Sequence, residues 1–219
     1  MTIPPASEFQ LQFFRDNNFI RKVCPKCNRG FWSQGEWTTC GEPPCEEYSF
    51  IGQSPMTKAM NVHEMREEYL SFFEHKGHGR VRRYPIVARW RDDVFFTQAS
   101  IYGFQPWVLN GTVEPPHNPL TISQTCVRFN DIDNVGITGR HFTFFEMLAH
   151  HAFNYKNNEI YFKDRTVELC HQFHTEHLGI DPKQMRYIEE WWEGGGNSGP
   201  CLEVILEGLE VATLVFMQY

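Results

Sequence analysis

Two adjoining stretches of the sequence decide the fold: TCVRFNDIDNVG at residues 125–136 and RHFTFFEM at residues 140–147. Both contain a run of apolar or aromatic residues typical of strands, and a polar loop joins the two runs. Arg128 closes the first run and offers a planar, permanently charged fork that suits phosphate oxygens. The aromatic residues of the second run offer a flat face that suits a purine. The pattern therefore indicates two paired strands that bind a nucleotide.

Strand geometry decides which side chains of the second run meet a ligand. Successive side chains of a strand point to opposite faces, so Phe145 and Met147 share one face and Phe144 points to the other. Plain core packing is the usual explanation of such an aromatic stripe. The arginine at position 128, together with a loop that holds Asp131, favours a binding face instead.

These stretches closely resemble motif 2 of class II aminoacyl-tRNA synthetases, in the form carried by alanyl-tRNA synthetases, and the likeness runs from about residue 61 to residue 219. The cysteine-rich amino terminus resembles the archaeal branch of that family. The resemblance implies that Arg128 binds the α-phosphate of ATP and that Asp131 positions the bound substrates, as the two catalytic residues. It also implies that Phe145 stacks on adenine, that Met147 lies beside the adenosine, and that ATP and Mg²⁺ are the cofactors.

A second set of residues resembles the amino-acid pocket of the same family. The segment Trp191–Pro200, WWEGGGNSGP, is interpreted as a glycine-rich loop similar to the family's tryptophan and Gly-Pro-Cys segment. Trp192 is the candidate wall against the substrate methyl group, and Trp191 is one register away. Thr213 and Val215 share a strand face and match pocket positions, although many members carry asparagine where Thr213 stands. The alternative is that the two tryptophans only anchor a mobile loop.

Four cysteines near the amino terminus predict a structural zinc site. Cys24 and Cys27 form a C-x2-C pair, and Cys40 and Cys45 form a second, looser pair. A redox dithiol, or two disulfides of a secreted protein, is the alternative, but no signal peptide or thioredoxin-like pattern supports it. Three further cysteines are interpreted as small buried hydrophobes: Cys126, Cys170 and Cys201.

The bulk composition limits the classes of function. The 219 residues are 41% hydrophobic and 15% aromatic, which is enough for a sizeable core, and the net charge is −7. An acidic chain has no overall basic field for nucleic acid, so only a local patch of arginines between residues 80 and 91 would attract RNA. No apolar run approaches the ~20 residues of a membrane span, and no signal pattern opens the chain, so a cytoplasmic location without membrane contact is expected.

Helices are expected at three places. A short amphipathic helix is predicted between Phe9 and Phe19, and a longer one begins at Asn61, where Glu64 completes a capping box. The pattern of residues 164–178 predicts a third, ended by Gly179. The paired histidines at 150 and 151 and those at 174 and 177 are interpreted as solvated or helix-capping groups, not as metal ligands.

Strand-rich segments between these helices predict an α+β fold, with an antiparallel sheet flanked by helices as in class II synthetases. Short strands are expected at residues 84–87 and 93–97, and two longer ones near 201–206 and 209–218. The predicted domains are residues 1–55, an amino-terminal helix with the four-cysteine zinc module, and residues 56–219, a partial catalytic domain that contains motifs 1 and 2.

Motif 3 of class II synthetases, with its arginine, is not found, nor is the aspartate that holds the amino group of alanine. We therefore expect the chain to be the front part of a catalytic domain, inactive alone and completed by a carboxyl-terminal remainder or partner subunit. The resemblance implies an alanine–tRNA ligase that activates alanine with ATP to alanyl-adenylate and transfers it to the 3′ end of tRNA(Ala). The alternative is a non-catalytic, zinc-bearing module that binds a nucleotide or a partner.

Overall fold

The computed structural model describes residues 4–219, which divide into two compact units. Unit 1 joins the described residues up to Ala59 with Tyr161–Tyr219, and unit 2 is Met60–Ile160. The helices are α1 (Gln12–Asp16), α2 (Val62–His75) and α3 (Lys163–Gln172). The strands are β1 (Ile20–Val23), β2 (Gly30–Ser33), β3 (Gly79–Val81), β4 (Leu120–Val127), β5 (Phe144–His151), β6 (Arg186–Gly194), β7 (Asn197–Leu206) and β8 (Leu209–Val215).

Unit 1 is built on one antiparallel sheet in the order β1-β2-β6-β7-β8. Two-residue turns join its last three strands: Gly195 and Gly196 link β6 to β7, and Glu207 and Gly208 link β7 to β8. All four turn residues have positive φ, as a tight hairpin turn between right-twisted strands requires. The cysteine-rich segment supplies β1 and β2, so it extends this sheet.

The two faces of the unit 1 sheet have different coverings. On one face, Phe31, Ile188 and Ile205 pack against three of the predicted zinc ligands and are fully buried. We call this the cysteine face. On the opposite face, Trp32 of β2 stacks on Phe14 of α1 at a ring distance of 4.7 Å. The core of unit 1 is therefore divided by its sheet.

Unit 2 is built on a three-stranded sheet in the order β3-β4-β5, in which β3 runs parallel to β4 and β5 antiparallel to it. Helix α2 covers one face, where the rings of Phe73 and His150 stack at 4.2 Å. The predicted capping box is present: the Asn61 side chain accepts from the backbone N–H of Glu64, and Glu64 accepts from that of Asn61. The helix reaches its C-cap at Lys76, just before Gly77 with its positive φ.

The α+β class with antiparallel pairing is confirmed, and the parallel β3–β4 pair is the exception. The third predicted helix is confirmed as α3, which continues through a π-helical turn, Phe173–His177, to Gly179. The structure groups the described residues up to Ala59 with Tyr161–Tyr219 in unit 1, and the predicted domains, residues 1–55 and 56–219, stay a prediction. No helix of the described chain is both long and apolar enough to cross a bilayer.

Three local predictions were wrong. Trp191–Pro200 is not a loop, because the end of β6 and the start of β7 run through it as a hairpin. The expected strands at 84–87 and 93–97 are reduced to one isolated bridge, between Val87 and Phe96. The single helix expected between Phe9 and Phe19 is a 3-10 turn, Ala6–Phe9, followed by α1.

Candidate functional site

One face of the β4–β5 pair in unit 2 carries the predicted nucleotide-binding residues. Cys126 lies directly opposite Phe145 and Gln124 directly opposite Met147, so the side chains of Phe145 and Met147 share this face. Arg128 follows β4 by one residue on the same parity, and its guanidinium carbon lies 5.1 Å from the centre of the Phe145 ring. The structure therefore brings Arg128, Phe145 and Met147 together, as the sequence predicts.

The backbone fixes the orientation of Arg128. Its N–H donates to the carbonyl of Thr143 at 2.9 Å, and its Nε donates to the carbonyl of Gln98 at 2.8 Å. Within residues 4–219 no acidic side chain pairs with this guanidinium, and its two terminal nitrogens keep their donor capacity. A half-buried arginine held by Nε alone presents a forked donor pair to an anion.

Met147 and Asp131 are held in different ways. The Sδ atom of Met147 accepts a hydrogen bond from the backbone N–H of Ser100 at 3.4 Å, which fixes the thioether on the face that is predicted to bind the nucleotide, here called the nucleotide face. Asp131 is exposed and has a left-handed backbone, φ 56°, at the start of the 3-10 turn Ile132–Asn134. Its carbonyl accepts a hydrogen bond from the Asn134 N–H at 2.8 Å. The structure shows no direct contact between Asp131 and Arg128 in the described chain.

A partly buried ion-pair network joins the opposite face of β5 to helix α2. Glu146 lies between Phe145 and Met147 in sequence and accepts two hydrogen bonds from Arg66, of 2.6 Å and 2.5 Å. Ser123 donates to the same carboxylate at 2.7 Å, and Arg83 lies 3.3 Å away. The hydrogen bonds from Arg66, aided by Ser123 and the nearby Arg83 charge, lower the pKa of Glu146 to about 2. This network holds the strand that carries the nucleotide face.

The predicted amino-acid pocket residues lie in unit 1, on the cysteine face of the sheet. Trp192 pairs with Gly199, and the registers Glu203 to Thr213 and Cys201 to Val215 place both β8 residues on the same face as Trp192. Trp191 points to the other face, where its ring lies 5.9 Å from that of Tyr219. The parity therefore places Trp192, and not Trp191, with Thr213 and Val215.

A glycine, a hydroxyl group and two carboxylates lie on the same sheet face as Trp192. A Cβ on Gly194 would lie 2.8 Å from the indole of Trp192, so the ring lies over this glycine. Thr213 is exposed and donates a hydrogen bond to Glu210. Across the strand from Thr213, burial and the neighbouring charge of Glu210 raise the pKa of Glu203 to about 7.

The four predicted zinc ligands converge in unit 1. The Sγ atoms of Cys24, Cys27, Cys40 and Cys45 all lie within 4.8 Å of one another, and those of Cys27 and Cys40 are 3.8 Å apart. Tetrahedral zinc with Zn–S bonds of about 2.3 Å separates its sulfurs by about 3.8 Å. Burial would raise the pKa of Cys24, but hydrogen bonds from the backbone N–H groups of Cys40, Cys27 and Lys26 outweigh it and lower that pKa to about 6. The donor set fits a closed zinc site.

Two arginines attach this cysteine cluster to the sheet. Arg186 of β6 is 1% exposed, lies 4.1 Å over the ring of Trp37 and donates to Glu46 at 2.7 Å. Arg29, two residues after the knuckle, pairs with carboxylates of the cluster and of the sheet. These contacts fix the segment that contains Cys40 and Cys45.

Comparison with known proteins decides the family. The sequence model described as tRNA synthetases class II (A) matches residues 64–219. The chain belongs to this class II synthetase family. The alanine–tRNA ligase of Methanosarcina acetivorans is 59% identical over 211 residues, which are 96% of this chain and 23% of that protein. Those of Methanopyrus kandleri and Thermococcus kodakarensis are 55% and 57% identical, over 100% and 98% of this chain.

The predicted archaeal branch of the class II synthetase family is thereby confirmed. The chain spans about a quarter of the length of these relatives, 23% to 24%. The match to the family model begins after the four cysteines. Its range, residues 64–219, includes β4 and β5 of unit 2 and β6, β7 and β8 of unit 1.

Some side chains of this class II chain are placed otherwise than predicted. His174 is 8% exposed, and burial lowers its pKa, so the expectation of a solvated or capping group was wrong. His150 packs beneath α2 and contacts the Tyr69 hydroxyl at 3.0 Å, and burial lowers its pKa well below 6.5. The three cysteines predicted to be small core residues, Cys126, Cys170 and Cys201, are all buried.

Ion pairs occupy some of the arginines between residues 80 and 91 that could form a local basic patch. Arg80 pairs with Glu67 and Glu74, and Arg91 pairs with Asp93. Sequence reasoning also missed the network around Glu146. The only signal for it was the charge of Glu146, because strand alternation directs this side chain away from the face of Phe145 and Met147. Helix α2 covers the face to which Glu146 points.

Proposed function

We propose that this chain provides the motif 2 half of the active site of an alanine–tRNA ligase. The observation that supports this most is the guanidinium of Arg128, held by the backbone above the ring of Phe145 on the face that also carries Met147. Arg128 binds the α-phosphate of ATP, Phe145 stacks on adenine, and Met147 lies against the adenosine. Asp131, at the start of the 3-10 turn, positions the bound substrates.

The amino-acid substrate is alanine, and its pocket uses Trp192, Thr213 and Val215. The shared sheet face of these residues supports the assignment, because one apolar wall beside a small polar group suits a methyl side chain. The complete reaction forms alanyl-adenylate and pyrophosphate and then transfers alanine to the 3′ end of tRNA(Ala), in the cytoplasm. We assign any portion of the active site outside residues 1–219 to the remaining length of a full enzyme or to a partner subunit.

Charge stabilisation and positioning perform the chemistry. Arg128 offsets the negative charge that grows on the α-phosphate as the alanine carboxylate attacks, and holding the two reactants in line removes much of the entropic barrier. Mg²⁺, which class II synthetases use together with ATP, would supply further charge compensation for the departing pyrophosphate. The four cysteines hold one structural Zn²⁺, which takes no part in the reaction because its coordination shell is closed.

Nucleotide titration of the chain tests the proposed site. In heteronuclear NMR spectra, ATP is expected to shift the Arg128 Nε–H, Phe145 and Met147 signals, and adenosine to shift the last two only. Arg128→Ala should lower ATP affinity more than tenfold, since a hydrogen bond to a charged group contributes roughly 1.5–3 kcal/mol, while adenosine binding stays unchanged. Equal loss of both ligands, or shifts confined to other residues, would contradict the assignment.

A further inference from the structure

Arg29 joins the cysteine cluster to the middle of the sheet in unit 1. Its backbone carbonyl accepts from the N–H of Cys24 at 2.9 Å, which closes the knuckle turn and fixes where the side chain starts. Its guanidinium donates to Glu190 of β6 at 2.9 Å and lies 3.5 Å from Glu203 of β7. The same guanidinium pairs with Glu42, which lies between Cys40 and Cys45.

The two sheet carboxylates are neighbours of the proposed alanine pocket. Glu190 precedes Trp192 by two residues on the same strand, so both lie on the cysteine face. Glu203 lies directly opposite Thr213 in the β7–β8 register. Both carboxylates therefore lie beside pocket residues on the cysteine face, so a rotation of either one changes the surroundings of those residues.

Arg29 is the cation that keeps this acidic row in place. Within residues 4–219, Glu203 forms an ion pair with Arg29 alone, and its buried Oε2 atom accepts no hydrogen bond. Glu210 adds a third carboxylate on the same face. Without the guanidinium, the neighbouring like charges repel one another, and Glu203, whose side chain is 19% exposed, must turn outward or take up a proton.

We propose that Arg29 is a positioning residue through which the metal-bound cysteine cluster fixes the shape of the alanine pocket. The inference rests on the proposed alanine site and on zinc at the four cysteines. Arg29 touches no substrate. Its guanidinium binds Glu190 and Glu203 of the sheet and also Glu42, in the segment between Cys40 and Cys45. A movement of the cysteine cluster therefore moves the two sheet carboxylates, and the reverse.

The zinc-loaded chain provides the first test, through the indole N–H signals of its tryptophans. Arg29→Gln is expected to shift the Trp192 signal, Arg29→Lys to shift it less, and the double variant R29Q/E203Q to return it toward its original position. The matched control is Arg21→Gln, because Arg21 pairs with Glu189 on the opposite face at 2.6 Å and should leave Trp192 unmoved. Zinc content measured on each variant should stay equal to that of the unaltered chain.

Kinetics provide the second test, in a chimera where this chain replaces the matching segment of the Methanosarcina acetivorans enzyme. Arg29→Gln should raise the KM for alanine in pyrophosphate exchange about tenfold, because losing the charge-assisted contacts of Arg29 displaces Glu190 and Glu203 beside the pocket. The KM for ATP and kcat should change less than about twofold. R29Q/E203Q should recover most of the alanine KM.

An unmoved Trp192 signal in zinc-loaded Arg29→Gln would overturn the inference. So would zinc loss or unfolding in both Arg29 variants, since Arg29 would then serve folding of the cluster alone. A chimera without alanine-dependent exchange, even with Arg29 intact, would instead contradict the proposed function. In that case the Trp192 signal still decides whether Arg29 couples the cluster to this face.

Discussion

Replacing Glu146 by glutamine should destabilise unit 2 in a pH-dependent way. The change removes the carboxylate that accepts from Arg66 and Ser123, and both members of the Arg66–Glu146 pair are less than one fifth exposed, at 18% and 19%. The pKa of Glu146 is lowered from 4.5 to about 2, chiefly by the hydrogen bonds from Arg66. That difference corresponds to about 3 kcal/mol of folding free energy at neutral pH.

The sign of the pH dependence follows from the lowered pKa. A group with a depressed folded-state pKa stabilises the fold above its unfolded pKa, here 4.5, and the contribution is lost as the pH falls toward 2. The free energy of unfolding of the Glu146→Gln variant should therefore be about 3 kcal/mol lower than that of the unaltered chain at pH 7. The two proteins should converge near pH 2.

Urea unfolding, followed through the NMR amide signals of β4 and β5, measures this difference in unit 2 itself. Glu67→Gln is the control, because Glu67 is 59% exposed where it pairs with Arg80, and such a pair contributes at most about 1 kcal/mol. Equal stability of the Glu146→Gln variant and the unaltered chain at pH 7 would refute the reasoning. A difference that persisted unchanged at pH 2.5 would refute the assigned cause.

Three further predictions concern unit 1. Cys27→Ser should remove the bound zinc, about one per chain by elemental analysis, and lower the melting temperature, because metal binding and folding are coupled; a chain that never carries zinc would contradict this. Gly199→Ala should lower the melting temperature by several degrees. The added Cβ would lie 2.0 Å from the Phe216 carbonyl oxygen, so β7 would have to move away from the segment that contains Phe216. Trp192→Ala should raise the KM for alanine in the chimera far more than Trp191→Ala does; the reverse order would place the pocket on the other sheet face.

The placement of Arg128, Phe145 and Met147 on one face was predictable because the information for it is local. The alternation of side chains along a strand predicts that Phe145 and Met147 share a face, and the residues around Arg128 form a continuous motif. The capping box at Asn61 was likewise visible, since its two partners are three residues apart. Such features depend on neighbouring residues and on the geometry of a single element.

The hairpin at Trp191–Pro200 was missed although a signal was present. Two adjacent glycines, Gly195 and Gly196, between β-prone residues indicate a two-residue turn. The glycine-rich stretch was interpreted as a loop because it is long. The consequence was that the register of Trp192 stayed open, which the pairing with Gly199 now defines. Strand β6, which contains much of the buried core of unit 1, was not predicted before Trp191.

The charge networks could not be predicted from the sequence. Arg29 and Glu190 are 161 residues apart, and Arg66 and Glu146 are 80 residues apart. Only the pairing of distant strands and helices brings such groups together. The burial of His150 and His174 has the same origin, because their surroundings come from α2 and from the core of unit 1, and no pattern in their own segments indicates it.

Alanine-dependent exchange between ATP and pyrophosphate, measured in the Methanosarcina acetivorans chimera with and without Arg128, tests the proposed function most directly. Arg128→Ala should slow exchange about 10²- to 10³-fold, comparable to the loss of a donor that stabilises developing charge. Arg128→Lys should restore little, since the planar fork is lost, and Arg80→Ala, a variant of an arginine paired with Glu67, should exchange normally. Near-normal exchange by Arg128→Ala would contradict the assignment of the nucleotide face.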